Sequence, residues 1–292
     1  MKMVVTGREG QVVQSLLEKA AQHPDLEVIA LGRPELDLAD PATIRKAIVN
    51  AKPDVVVSAA AYTAVDQAED EPEIALAVNA AGAAAVAESA KACGAPVIHL
   101  STDYVFAGNS DRPYVETDPT GPRSVYGSSK LEGERLVAAA NPQHIILRTA
   151  WVYSPFGKNF VKTMLRLAET RDGLSVVSDQ WGNPTSALDI AEAIIRVADH
   201  LAAKQDFADY GVYHLAGTGD INWSGFARGI FVESAKHGGP TAEVTDIATA
   251  AYPTKAARPA NSRLSTEKFT TTFGWSMPHW QASLAEVVAR LS

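Results

Sequence analysis

The chain has 292 residues, 46% of them apolar, and a formal net charge of −8, enough for one large core or for a main domain with a smaller lobe. An acidic chain without a block of Lys or Arg argues against a nucleic-acid surface or a basic membrane patch, so small-molecule chemistry fits better and neither nucleic acid nor membrane is an expected partner. The single cysteine, Cys93, excludes an internal disulfide and a cysteine metal cluster. No apolar stretch approaches the ~20 residues of a membrane span and no leader pattern precedes the first strand, so a cytoplasmic location is expected.

In chain order, residues 2–6 form a short apolar run that reads as a strand, and Gly7-Arg8-Glu9-Gly10-Gln11 follows at once. Residues 11–22 carry apolar side chains at helical spacing around Leu16, Leu17 and Ala20. Residues 26–31 read as a second strand, 41–51 as a helix, and 54–58 as a third strand apolar enough to be covered on both faces. A long Ala-rich helix is expected over 73–93, with Cys93 as an inert packing residue. Residues 96–101 read as a fourth strand, and a helix over 124–140 and a strand over 144–149 complete the run. The alternation implies an α/β fold, a Rossmann-type doubly wound parallel sheet with right-handed crossovers.

After Thr149 the regularity loosens. Residues 159–170, 187–203 and 222–236 read as helices and 212–216 as a strand, while 241–265, interrupted by Pro253 and Pro259, follows neither pattern. A smaller, segmented α/β lobe is expected here. The division predicted is a dinucleotide-binding domain over 1–150, completed by the helix near 187–203, and a discontinuous, mainly substrate-binding lobe over 151–292. Ligands of doubly wound sheets sit beyond the carboxyl ends of the strands, so Gly7, Thr63 and residues 101–103 and 149–151 should line one crevice.

Strand, glycine turn, helix is the order a dinucleotide site requires, because Gly7 and Gly10 let the backbone turn tightly and bring a pyrophosphate to the amides of a helix N-terminus. The pattern would continue to a third glycine, where this chain has Val13, a β-branched residue at a place of close helix–strand packing. Tyr126 and Lys130, four apart on one helix face, form a second constellation. A tyrosine hydroxyl titrates near 10, so it is a poor acid or base unless a cation favours the phenolate, and Lys130 is placed to be that cation. The bland alternative is a half-buried Tyr beside a solvated Lys paired with Glu134.

Ser101-Thr102-Asp103-Tyr104-Val105-Phe106 ends the fourth strand just before that helix, and Thr102, Tyr126 and Lys130 together make the Ser/Thr, Tyr, Lys set of the short-chain dehydrogenase/reductase superfamily. The chain resembles its extended, sugar-nucleotide-modifying branch, and within it the dTDP-4-dehydrorhamnose reductases. The likeness runs nearly end to end, through Thr6-Gly7-Arg8-Glu9-Gly10-Gln11, residues 59–66, 101–106, 125–130 and 148–153, and Ala257-Arg258-Pro259-Ala260-Asn261-Ser262-Arg263-Leu264. It implies that Gly10, Gln11 and Val12 meet a pyrophosphate, Asp37 and Leu38 the adenine side, and Ala61, Tyr62 and Thr63 the middle of the cofactor. Lys130 would hold the nicotinamide ribose. Thr102 and Asp103 would contact a dTDP-sugar, Trp151 would pack on it, and the loop of Arg258, Asn261 and Ser262 would meet its diphosphate. The structural alternatives are a packing aromatic for Trp151 and a solvated cation for Arg258.

The implied reaction is reduction of the C4 keto group of dTDP-4-dehydro-L-rhamnose, with Tyr126 as acid, Thr102 as hydrogen-bond donor and Lys130 as supporting cation. The related 4,6-dehydratases carry Glu where this chain has Tyr104, which disfavours dehydration. An epimerase or reductase acting on another 4-keto nucleotide sugar stays open, as does a non-catalytic subunit resembling the regulatory subunit of methionine adenosyltransferase. The second strand ends Ala30-Leu31-Gly32-Arg33, without the carboxylate an NAD site would place there. Arg33 can pair with a 2′-phosphate, so NADPH is expected, with NADH also accepted and Asp37 tempering the preference; the alternative is an Arg33 that projects into solvent. Ser15 stands near the place where some relatives carry glutamates for a metal bridging a dimer, so no metal is expected. A homodimer is compatible with the resemblance.

Overall fold

Runs of Val, Ile and Leu take both faces of a central sheet out of water, which a parallel sheet with helices on each side requires. The computed structural model describes residues 1–204 and 206–291. Its first half is strand β1 (Lys2–Thr6), helix α1 (Gln11–Ala20), β2 (Glu27–Leu31), α2 (Pro41–Ala51), β3 (Val55–Ser58), α3 (Val65–Ala68), α4 (Pro72–Leu76), α5 (Ala83–Ala92), β4 (Val97–Thr102), α6 (Val125–Ala140) and β5 (His144–Thr149). The second half is β6 (Val152–Tyr153), α7 (Phe160–Ala168), β7 (Gly173–Val177), β8 (Trp181–Gly182), β9 (Thr185–Ser186), α8 (Ala187–Ala203), β10 (Gly211–His214), β11 (Ile221–Asn222), α9 (Trp223–Lys236), β12 (Glu243–Ile247), α10 (Glu267–Phe273) and α11 (Trp280–Ala289).

The central sheet runs β10-β5-β4-β3-β1-β2, parallel throughout. It is the expected Rossmann-type doubly wound sheet. The strand period of two sorts its side chains. Met3 and Val5 pack with Leu16 of α1 and Ile190 and Ile194 of α8, while Val4 between them packs with Ile44 and Ile48 of α2 and Val86 of α5 on the other face. A fully buried side chain of this kind contributes roughly 1.5–3 kcal/mol. The strand order reverses between β1 and β3, so the turns after these two strands form the crevice where such folds take ligands. Thr6 closes that crevice from below, its Oγ1 accepting from the amides of Ala59 at 3.0 Å and Ala60 at 3.1 Å.

A smaller lobe gathers β6 with β9, β7 with β12 and β8 with β11 as two-stranded pairs. Tyr153, Val161, Phe226, Ile230, Trp280 and Val287 share its core. Region 241–265 is therefore more ordered than its sequence pattern indicates, because Glu243–Ile247 pairs in parallel with Gly173–Val177. Both strands are only five residues long, and although β7 alternates buried Leu174 and Val176 with exposed neighbours, β12 stays largely in water and shows no such alternation. No helix among the described residues is long and apolar enough to cross a membrane.

The helix expected over 73–93 is present but contains a π-helical segment at Ala77–Gly82. Its cause is close packing. A Cβ on Gly82 would lie 2.4 Å from the carbonyl oxygen of Leu38, and one on Gly133 of α6 would lie 2.1 Å from that of Asn79, so backbone meets backbone on both sides of the bulge. Alanine at 133 would gain about 1 kcal/mol of helix propensity but meets a backbone oxygen that cannot rotate away, and overpacking of this kind costs about 1–3 kcal/mol or more. Gly133→Ala is therefore expected to lower the unfolding free energy by about 1–2 kcal/mol in denaturant titration, and an unchanged or raised midpoint would show that the contact is not tight.

Candidate active site

Helix α6 begins where Ser124 accepts a hydrogen bond from the amide of Gly127 at 3.0 Å and Glu69 accepts one from the amide of Val125 at 2.9 Å, so a hydroxyl and an anion satisfy its first free N–H groups. A Cβ on Gly127 would lie 2.3 Å from the carbonyl oxygen of Tyr104. The helix can thus cross directly against the 3-10 turn Asp103–Val105 that follows β4, so that Tyr126 reaches Thr102 and Lys130 reaches Leu100 of that strand.

Lys130 is buried, and its Nζ donates to the carbonyl of Leu100 at 2.7 Å, with His99 Nε2 at 3.4 Å. It does not pair with Glu134, which instead takes a bidentate bond from Arg148 at 2.9 and 2.7 Å and a third from Ser101 Oγ at 2.5 Å. Burial pulls the Lys130 ammonium down to about 8, opposed by the charge of Glu134. Tyr126 departs from the expectation that Lys130 lowers its pKa. Burial holds its hydroxyl above the ordinary value, a Thr102 hydrogen bond pulls the other way, and Asp103 and Tyr104 add to the rise. A phenol in this setting keeps its proton until a stronger demand arises.

Thr102 ends β4, donates to Asp103 Oδ1 at 3.0 Å and accepts from the amide of Tyr104 at 3.2 Å. Asp103 is 4% exposed, its Oδ2 has no partner, and burial pushes its carboxyl up to about 6 against hydrogen bonds from Ser262 and Thr102. Ser262 thereby ties the 257–264 loop to the end of β4. Arg258 of that loop pairs with Asp66 at 2.5 Å and hydrogen-bonds Tyr104, whose hydroxyl burial raises to about 12; its Nη1 is buried without a partner. It is thus no solvated cation. Asn261 is spent on bracing, donating to the carbonyl of Arg112 in the segment before α6 at 2.8 Å and accepting from the Arg263 Nε within its own loop at 2.7 Å.

At the other end, Gly7 (φ 99°), Arg33, Asp37, Leu38, Ala61 and Tyr62 line one cleft of about 620 Å³. Gly10 caps α1 in an extended conformation. Val13 fills the place of the third glycine, 2% exposed in the core beside Gly7. Gln11 directs its amide away, accepting from Ser154 at 2.8 Å and Asn159 at 2.9 Å in the smaller lobe. Val12 packs on the core of α1. Thr63 is exposed beyond the cleft wall. Ser15 is buried and donates to the carbonyl of Gln11 at 2.8 Å, and no group of three His, Cys, Asp or Glu side chains among the described residues could hold a metal ion.

Three contributors lay outside the sequence reading. Asn79, in the π-helical segment, accepts from the amide of Tyr62 at 2.8 Å and donates to its carbonyl at 3.0 Å, clamping the loop that forms the cleft wall. Arg8 lines the cleft with Arg33 and is tied to Glu35 at 2.6 Å. Trp223 stacks on Trp151 at 3.5 Å between ring centroids. Trp151 sits at φ 50°, a conformation that costs a bulky residue about 1–3 kcal/mol, held by that stacking and by Gly182, where a Cβ would lie 2.4 Å from the indole. Only the π-helical break, in an Ala-Gly-rich run, left a trace in the sequence.

A family model described as RmlD substrate binding domain matches residues 1–292. The chain is 52% identical over 288 residues to a dTDP-4-dehydrorhamnose reductase of Sinorhizobium fredii (strain NBRC 101917 / NGR234), covering 99% of this chain and 97% of that protein. It is similar to the solved structure of a dTDP-4-dehydrorhamnose reductase from Clostridium acetobutylicum ATCC 824, with a TM-score of 0.92 and 37% identity over 100% of this chain and 99% of that one. A third likeness is to the enzyme of that name from Bacillus anthracis str. Ames, solved in complex with NADP, with a TM-score of 0.91 and 32% identity over 99% and 98% of the two chains.

The Asp103 carboxyl carries a pH-dependent cost. Its folded pKa of about 6 lies above the unfolded value, so between about pH 4 and 6 the folded state binds more protons and stability falls as pH rises. Above that window the buried carboxylate costs about 2–3 kcal/mol. Asp103→Asn is expected to gain that much on the parent between pH 4 and pH 7.5 in denaturant unfolding, whatever its absolute stability, and a stability difference that stays flat with pH would place the Asp103 pKa at its ordinary value.

Proposed function

The chain belongs to the dTDP-4-dehydrorhamnose reductase family, and we propose that its crevice reduces the C4 keto group of dTDP-4-dehydro-L-rhamnose to give dTDP-L-rhamnose. The observation that carries this reading is that Thr102, at the carboxyl end of β4, hydrogen-bonds Tyr126, while Lys130, one turn on along the same helix, is bound to Leu100 of that strand, with a glycine-turned cleft formed after β1 and β3. The cleft fits NADPH: Gly7 leaves no side chain between the turn and Ala60, and Arg8 and Arg33 stand at the rim. When bound, the reduced nicotinamide supplies the hydride.

Tyr126 gives its proton to the C4 oxygen as that oxygen becomes negative, and Thr102 hydrogen-bonds the same oxygen. Lys130, charged below about pH 8, holds the nicotinamide ribose and stabilises the phenolate left on Tyr126. Trp151, braced by Trp223, packs on the sugar, and the loop of Arg258, Asn261 and Ser262 meets the nucleotide diphosphate. In that loop Arg258 offers its unpartnered Nη1, while Asn261 serves as a brace. Gly10, Gln11 and Val12 line the pyrophosphate through their backbone, Asp37 and Leu38 the adenine, and Ala61, Tyr62 and Thr63 the middle of the cofactor. Residues 1–150 with the helix at 187–203 form the cofactor domain and most of 151–292 the substrate lobe. The same reading gives a cytoplasmic enzyme and allows a homodimer.

Incubation with NADPH and dTDP-4-dehydro-L-rhamnose is expected to yield dTDP-L-rhamnose, and Tyr126→Phe is expected to lose turnover by roughly a hundredfold or more with NADPH binding little changed. Near-normal turnover in that variant would return Tyr126 to a packing role; NADPH consumption without a rhamnosyl nucleotide would remove the substrate assignment. Arg33→Ala is expected to reduce the NADPH-to-NADH ratio of kcat/KM by roughly fivefold, the scale of one partly exposed ion pair. A ratio equal to the parent's would take Arg33 out of the cofactor site.

A further inference from the structure

Behind Lys130 lies a buried imidazole that the reaction does not use. His99 of β4 is 1% exposed and Ser58, at the end of β3, is 2% exposed. His99 Nδ1 lies 3.0 Å from Ser58 Oγ, and its Nε2 lies 3.4 Å from Lys130 Nζ. An ammonium has three donors and no acceptor. One Lys130 donor goes to the carbonyl of Leu100 at 2.7 Å, and a second can be met at His99 only if Nε2 carries the lone pair. The ring proton then sits on Nδ1, with Ser58 Oγ as its acceptor.

We infer that His99 is a positioning residue for Lys130: held as the neutral Nδ1–H tautomer by Ser58, it accepts from the ammonium and so keeps that cation charged and oriented with one donor free. This rests on the reading of Lys130 as part of the reductase site. The groups facing the pair come from four elements. Tyr126 and Glu134 lie on the same helix, His99, Leu100 and Ser101 on β4, Ser58 on β3, and Arg148 on β5, where it holds Glu134. Arg148 is engaged with Glu134, so the acceptors that meet the ammonium directly are Leu100 and His99. Burial and the neighbouring Lys130 charge both keep His99 neutral, which an acceptor must be.

The test is NMR of the cofactor-free protein with 15N-labelled imidazoles and 13C-labelled lysine side chains, the Lys130 signal being assigned by its absence from Lys130→Met. The parent should show His99 as a single neutral Nδ1–H tautomer from pH 6 to 9, with Lys130 titrating near 8. Ser58→Ala removes the acceptor that fixes the tautomer, and should lower the Lys130 midpoint by roughly half a unit to one unit. His99→Leu should do the same, while His99→Gln, which keeps a neutral acceptor, should stay within roughly 0.3 of the parent. The basic limb of kcat/KM for NADPH should move with the midpoint, a displacement that loosened packing alone would not produce. An Nε2–H tautomer in the parent, or a Lys130 midpoint unmoved in folded Ser58→Ala and His99→Leu, would overturn the inference. Midpoints that move in a protein without turnover would uphold the coupling and sink the reductase reading instead.

Discussion

Two charges that scarcely meet water hold the helix of Tyr126 and Lys130 in place. Glu134 and Arg148 are each 4% exposed and joined by a bidentate pair, with Ser101 as a third donor to the same carboxylate. Helix α6 is thereby locked to β4 and β5, the strands whose ends supply Thr102 and lead to Trp151. A buried pair adds little net stability over apolar replacements, but removing one partner strands the other at a cost of about 3–5 kcal/mol. Its value here is positional. The geometry of Arg148 demands one angle of approach, and its guanidinium also lies 5.0 Å from the Phe106 ring centre. That placement helps to drive the His214 imidazole down to about 3, behind the larger effect of burial, so the ring beside Arg148 adds no second charge at neutral pH.

The lock works because backbone can approach backbone. Gly127 lets α6 lie on the turn after β4, and Gly133 lets it lie on Asn79, which itself grips Tyr62 by amide and carbonyl and reaches Ser129 at 3.0 Å. Ser129 donates in turn to the carbonyl of Tyr126 at 2.8 Å. A single run of hydrogen bonds therefore joins the wall of the glycine-turned cleft to the helix turn that carries the proposed acid. Regular α-helix over 77–82 would present Asn79 differently, which accords with the tendency of π-helical segments to occur at functional sites.

Elements with strong local signals were legible in the sequence. Strand β5 and helices α2 and α8 begin and end where the periodicity places them; α2 even announces its start, with Asp40 accepting from the amide of Ala42 ahead of Pro41. The glycine turn and the 101–106 motif were legible for the same reason, as short patterns tied to one strand end. What stayed hidden depends on partners far along the chain. The β7–β12 pair joins residues about seventy positions apart, the Arg258–Asp66 bridge joins the 257–264 loop to helix α3, and Arg8 is tied to Glu35 across the turn after β2. Asn261 has the right neighbourhood but spends its amide on Arg112 and Arg263, something only the folded loop could reveal.

The sign of the Tyr126 shift was also out of reach, because it comes from enclosure and not from spacing. Two residues four apart on one helix are driven in opposite directions by the same cause. Burial makes the Tyr126 phenol reluctant to lose its proton and the Lys130 ammonium reluctant to keep one. For an acid that must deliver a proton to a developing alkoxide, the first effect keeps the proton available at neutral pH. The second works against the reaction, since a neutral lysine cannot stabilise a phenolate. The polar surroundings of Lys130 therefore matter more than the Tyr-x-x-x-Lys spacing alone indicates. Spacing places cation and acid on one helix face, while burial and the opposing charge of Glu134 set the pH range over which the cation exists, a balance on which the proposed His99 contact also acts.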